Sequence, residues 1–122
     1  MGNARGGGQT NTNAFFDESK ICLFQLTDAG TILYCRNTPP SKHDLTKLVG
    51  RNLFEEIAPF ENTEELRRHF NRFIKNDFST ENFSFTCRVK NRNIRTKIML
   101  VRISERSFGE GDKTTIIDIR KA

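Results

Sequence analysis

The run Leu48-Val49-Gly50-Arg51-Asn52-Leu53-Phe54-Glu55-Glu56-Ile57-Ala58-Pro59-Phe60 decides how the rest of the chain is read. Gly50 is a helix stop, Asn52 with Glu55 three residues on is a restart, and Pro59 imposes a second stop. Between the stops Leu53, Phe54 and Ile57 make one apolar turn. Punctuation this dense predicts short helical segments wrapped over an apolar surface, and both flanks supply that surface.

Upstream, Ile21–Leu26 and Thr31–Cys35 are β-prone runs joined by Thr27-Asp28-Ala29-Gly30, a set of turn formers that predicts a hairpin. Depending on register, Cys22 and Cys35 stand nearly opposite each other in it. Two small buried side chains are the reading preferred there to a redox pair or a metal site. Pro39-Pro40 ends the second strand. Ser41, with Asp44 three residues on, predicts a capped helix with Leu45, Leu48 and Val49 on one face.

Downstream, Asn62 is read as the cap of a long helix, with Glu65 at the capping-box position. Leu66, Phe70, Phe73 and Ile74 follow at helical spacing, and Arg67, Arg68, Arg72 and Lys75 make the solvated face. Three strands are predicted over Asn82–Lys90, Thr96–Ser104 and Lys113–Arg120. The first alternates, Phe83, Phe85, Cys87 and Val89 against Ser84, Thr86 and Arg88. The other two are apolar on both faces through Ile98-Met99-Leu100-Val101 and Ile116-Ile117, so they need cover on both sides. Asn91-Arg92-Asn93 and Phe108–Asp112 are read as hairpin links.

A chain of 122 residues suits one domain with one core, and eleven Phe without Trp make that core phenylalanine-rich. Residues 1–18, rich in Gly, Asn and Thr at the start, are expected to form a flexible segment, with the folded domain over 19–122. Gly6-Gly7-Gly8 is no phosphate loop, since no strand precedes it and no Gly-Lys-Ser/Thr follows. Cys22, Cys35 and Cys87 are odd in number and lack Cys-x-x-Cys spacing, which favours reduced thiols and a cytoplasmic protein. No apolar run is long enough for a membrane span, and Gly6 breaks the myristoylation pattern after Met1-Gly2. The net charge of +5 is modest, and it reads as surface charge in preference to a nucleic-acid site.

Catalysis needs a nucleophile with its base, carboxylates in separated environments or a metal cluster, and no such pattern is present. Ser41 and His43 open a helix, and Glu55-Glu56 and Glu64-Glu65 fall in first turns where they complement the dipole. The chain is not expected to be an enzyme.

The hairpin Phe24-Gln25-Leu26-Thr27-Asp28-Ala29-Gly30-Thr31-Ile32-Leu33, the run Val49-Gly50-Arg51-Asn52-Leu53-Phe54 and the pair Ala58-Pro59 resemble, in that order, a PAS domain. Among PAS domains they are most similar to the photoactive yellow protein family, over about Ile21 to Arg120. The resemblance implies an α+β fold, a five-stranded antiparallel sheet with short helices and one long helix on one face. It also implies a pocket between sheet and helices, here bounded by Leu33, Cys35, Leu48, Phe54 and Ile57 and by Phe60, Phe70, Phe85 and Ile98.

The family's chromophore cysteine follows its Ala-Pro pair, where this chain has Phe60, and Cys35–Pro40 holds neither the family's tyrosine nor its glutamate. A covalent hydroxycinnamoyl chromophore is therefore not expected. The expected function is a sensory or signalling module that binds a small apolar ligand or a protein partner and signals through protein contacts. One alternative is a haem or other cofactor sensor with His69 as ligand, against the plainer reading of a surface histidine. Another is binding of nucleic acid or an acidic partner around Lys90, Arg92, Arg95 and Lys97, with the helix arginines. A homodimer is expected, with Phe15 and Phe16 joining Met99, Val101 and Ile116 in the interface and an unidentified downstream signalling protein as partner.

Overall fold

The computed structural model describes residues 21–38, 45–57, 60–89, 92–105 and 112–122. Strands β1 (Ile21–Leu26) and β2 (Ile32–Thr38) form the first hairpin, and β3 (Thr80–Val89), β4 (Arg92–Glu105) and β5 (Asp112–Lys121) follow the helical region. All neighbours are antiparallel, and the order across the single sheet is β2-β1-β5-β4-β3. The alternation predicted for β3 holds, with Phe85, Cys87 and Val89 buried and Ser84, Thr86 and Arg88 exposed. The two strands that read as apolar on both faces, β4 and β5, lie inside the sheet.

Helix α1 (Thr63–Lys75) lays Leu66, Phe70 and Phe73 on the sheet, all buried, with Ile74 packed at the margin. It ends in a Schellman turn: Asp77 takes a positive φ of 53°, Phe78 N–H donates to Phe73 O at 3.3 Å, and the Phe78 ring meets Phe73 edge-on. Its start differs from the expected capping box, because Asn62 makes no side-chain cap bond. Asn62 instead reaches the edge of β3, its Nδ2 donating to Thr86 O at 2.7 Å and its Oδ1 accepting Arg88 N–H at 3.0 Å. Glu61 N–H adds a bond to Arg88 O at 2.6 Å.

The opening stretch folds as two short turns. Leu45–Leu48 is one turn of 3-10 helix, and Leu53–Ile57 is a π-helical turn with Leu53, Phe54 and Ile57 buried. Val49 does not share the face of Leu45 and Leu48 and is 48% exposed. Asn52 restarts the chain as expected, its Oδ1 accepting Phe54 and Glu55 N–H, but the carboxylate that answers its own N–H belongs to Glu56. These bonds hold the Glu56 carboxyl below its usual range, the Asn52 N–H first and Arg51 next.

The same stretch laces onto the hairpin. Gly50 N–H donates to Ile32 O, Ile32 N–H to Arg51 O and Leu53 N–H to Gly30 O. Gly30 has φ +95° and a Cβ there would lie 2.9 Å from Phe54, so only glycine admits both the turn and this approach. Pro39 to Asp44 with the Ser41 cap, Ala58-Pro59, Lys90-Asn91 and the 106–111 link lie outside the described residues.

Candidate functional site: the two faces of the sheet

On the inner face Phe54, Ile57, Phe60, Phe70, Phe85 and Ile98 belong to one buried cluster, with Cys35 and Leu48 packed against its margin. The Phe54 and Phe70 rings stand 5.0 Å apart, and Phe60 and Phe85 6.2 Å. Leu33 does not join them. The β1–β2 register shifts between Gln25 and Leu26, so Leu26 pairs with Ile32 and Gln25 with Tyr34. This bulge gives Ile32 the core position and leaves Leu33 45% exposed.

Cys22, Cys35 and Cys87 form no disulfide among the described residues. Cys22 pairs with Asn37 and Cys35 with Phe24, so the two thiols are diagonal neighbours and do not face each other. Cys35 Sγ donates to Leu45 O at 3.5 Å, and burial raises its pKa. Burial pushes Cys87 up to about 11, against a weaker opposing effect of Thr96. Both are therefore thiols at neutral pH. Among the described residues no group of three or more His, Cys, Asp or Glu is placed to hold a metal ion.

His69 lies at the rim of the cluster. Its ring stacks on Phe83 with centroids 4.2 Å apart and planes 11° from parallel, and its Nδ1 receives Arg72 Nη2 at 3.1 Å. Burial, then the Arg72 charge, holds its pKa below the ordinary value. The neutral imidazole is thus packed and hydrogen-bonded in place.

The outer face divides in two along β4. Asn93, Arg95 and Lys97 occupy its first outward positions, and Met99, Val101 and Ile103 the next. Cross-strand partners extend this division: Val101 pairs with Ile116 and Met99 with Asp118, whereas Lys97 pairs with both Arg120 and Ser84. Ile116 then pairs with Gln25, and Asp118 with Leu23 of β1. Met99, Val101 and Ile116 are half-buried, and Phe15 and Phe16 lie outside the described residues.

At the boundary a groove of about 590 Å³ opens between Asn82, Ser84, Lys97, Met99, Asp118 and Arg120. The Asp118 side chain is 7% exposed and pairs with Arg120 Nε at 3.0 Å. Of the cations around the β3–β4 hairpin, Arg95 and Lys97 face this side, Lys90 lies outside the described residues, and Arg92 pairs with Val89, whose side chain is on the inner face. The helix arginines are on the opposite side of the sheet. The outward Arg88 and Arg120, which join Arg95 and Lys97, were not legible as a group, because only the strand register brings them together.

No protein-family model and no curated protein matches the sequence. Solved structures do match. The photoactive yellow protein domain from the sensor histidine kinase Ppr of Rhodospirillum centenum is 23% identical, with a TM-score of 0.60 over 90% of this chain and 99% of that one. The PAS domain of Bordetella pertussis BvgS is 11% identical, with a TM-score of 0.59 over 95% of this chain and 87% of that one. A sensory box sensor histidine kinase from Vibrio cholerae is 12% identical, with a TM-score of 0.61 over 98% and 95%. With its five-stranded antiparallel sheet, its helical turns and α1 across one face, this chain has the PAS fold.

Proposed function

We propose that the chain is a non-enzymatic sensory or signalling module whose output is carried by protein contacts, and that it acts as a homodimer through the apolar half of its outer sheet face. The observation that carries this reading is the group of Leu23, Met99, Val101 and Ile116, half-buried on one face of three adjacent strands, with Val101 and Ile116 direct cross-strand partners. Apolar surface gathered on one sheet face generally marks a contact site. The sensor-kinase origin of the structural neighbours supports a sensory role. In this proposal Phe15 and Phe16, a few residues before β1 in the sequence, join the interface. A signal that moves this segment would alter the subunit contact.

The inner cluster is the second place a stimulus could act. A small apolar ligand there has to part the Phe54–Phe70 or Phe60–Phe85 contacts, and a haem bound through His69 has to break its stacking on Phe83. The reading therefore places the output on the outer face.

Light scattering of the parent and of a variant lacking residues 1–18 tests it. A dimeric parent and a monomeric deletion are expected. A parent monomeric at micromolar concentration removes the dimer, and an unchanged dimer after deletion removes the role of the segment.

A further inference from the structure

We propose that the basic half of the outer face docks an extended acidic segment of a partner protein, with an apolar side chain of that segment entering the groove beside Asn82 and Ser84. This rests on the reading that the outer face works through protein contacts, and names the chemistry of one partner.

Arg88, Arg95, Lys97 and Arg120 project from the same face of β3, β4 and β5, and all are exposed. Among the described residues Arg88, Arg95 and Lys97 have no carboxylate partner, and Arg120 shares its charge with Asp118. Lys97 and Arg120 are direct cross-strand partners, an arrangement of like charges that by itself destabilises a sheet. Asp118 offsets Arg120 from within the chain, which leaves Lys97 and Arg95 for an incoming carboxylate.

The geometry suits a peptide. Same-face positions along a strand recur about every 6.6 Å, so an extended segment with acidic residues at alternate positions matches the spacing of Lys97 and Arg95. Ser84 and Asn82 line the groove with hydrogen-bonding side chains, and its volume of about 590 Å³ exceeds that of any single side chain. Single-stranded nucleic acid is less well suited, because its binders stack bases on aromatic rings. Among the described residues the exposed ring of this face is Tyr34 of β2, with β1 and β5 between it and β4. A second copy laid over this half would oppose cation to cation.

The test is fluorescence anisotropy of the whole chain with a labelled extended peptide that carries Glu at two alternate positions and Leu at the next alternate position, with Ser between them. Binding that weakens with salt is expected, with about a tenfold loss for Lys97→Glu or Arg95→Glu and no loss for Arg68→Glu on the exposed face of α1. Thermal melts of the three variants show that each is folded. Absence of binding at low salt overturns the proposal, as does an equal loss with Arg68→Glu. Tighter binding of a thymidine oligonucleotide of equal charge overturns it in favour of nucleic acid. Because subunit number is measured separately, a parent that is monomeric yet binds the peptide supports the docking surface while removing the dimer.

Discussion

Asn62 holds the backbone of Arg88, accepting its N–H at 3.0 Å while the same side-chain amide donates to Thr86 O. The residue at the mouth of α1 thus binds a strand, where a capping residue would bind its own helix. Asp caps helices as well as Asn does, but it cannot donate to a carbonyl. Asn62→Asp is therefore expected to cost about 1 kcal/mol in urea unfolding. Equal or greater stability of the variant would show that capping is what matters.

Arg102 and Asp28 make a second long-range tie, at 2.6 and 3.2 Å between paired nitrogens and oxygens. The Arg102 side chain is only 10% exposed, bonds Thr115 Oγ1 and has a buried Nε with no partner among the described residues, whereas Asp28 is 55% exposed. Asp28→Ala leaves the guanidinium buried without its counter-ion. After discount for the exposed carboxylate, a loss of about 1–2 kcal/mol is expected. Adding Arg102→Met should recover part of it, and a double-mutant cycle with strictly additive losses would refute the coupling.

Phe70 and Phe73 are 1% and 0% exposed at the centre of the α1 interface. Truncating either to Ala is expected to cost about 3–5 kcal/mol, a large part of the stability of a domain this size. Arg68→Ala, on the exposed face, should melt like the parent. A parent-like melt for Phe70→Ala would mean that the helix does not pack in this phase.

His69 links stability to pH. Its folded-state pKa is depressed by burial and Arg72, against smaller opposing effects of Glu81 and Glu65, with Arg68 also lowering it. The unfolded chain therefore binds the proton more readily between the folded value and about 6.5, so stability rises with pH across that window. His69's contribution is complete above about 6.5 and is lost as pH falls through the folded value. His69→Phe should flatten this part of the curve in melts from pH 5 to 7.5, and an unchanged slope would count against the assignment.

Elements with a strict period were legible in advance. Leu66, Phe70 and Phe73 fixed the phase of α1, and Phe85, Cys87 and Val89 that of β3, because burial on one face repeats along each element. The bulge that turns Leu33 outward was not legible, since a one-residue shift in pairing leaves no mark in the pattern of Ile32-Leu33-Tyr34. Nor was the role of Asn62, whose polar groups satisfy a strand edge as readily as a helix end. The basic half of the outer face depends on register across β3, β4 and β5, which joins residues far apart in sequence.

The bonds from Asn62 and Glu61 to β3 have a consequence for how copies of this chain can meet. An edge strand with free N–H and C=O groups invites another strand to join it, the usual route to uncontrolled aggregation. Around Thr86–Arg88 those groups are occupied from within the chain, and at the far edge of the sheet Gly50 and Arg51 do the same for Ile32. Sheet extension is thus obstructed at one place on each edge, which steers encounters between molecules from edge to face.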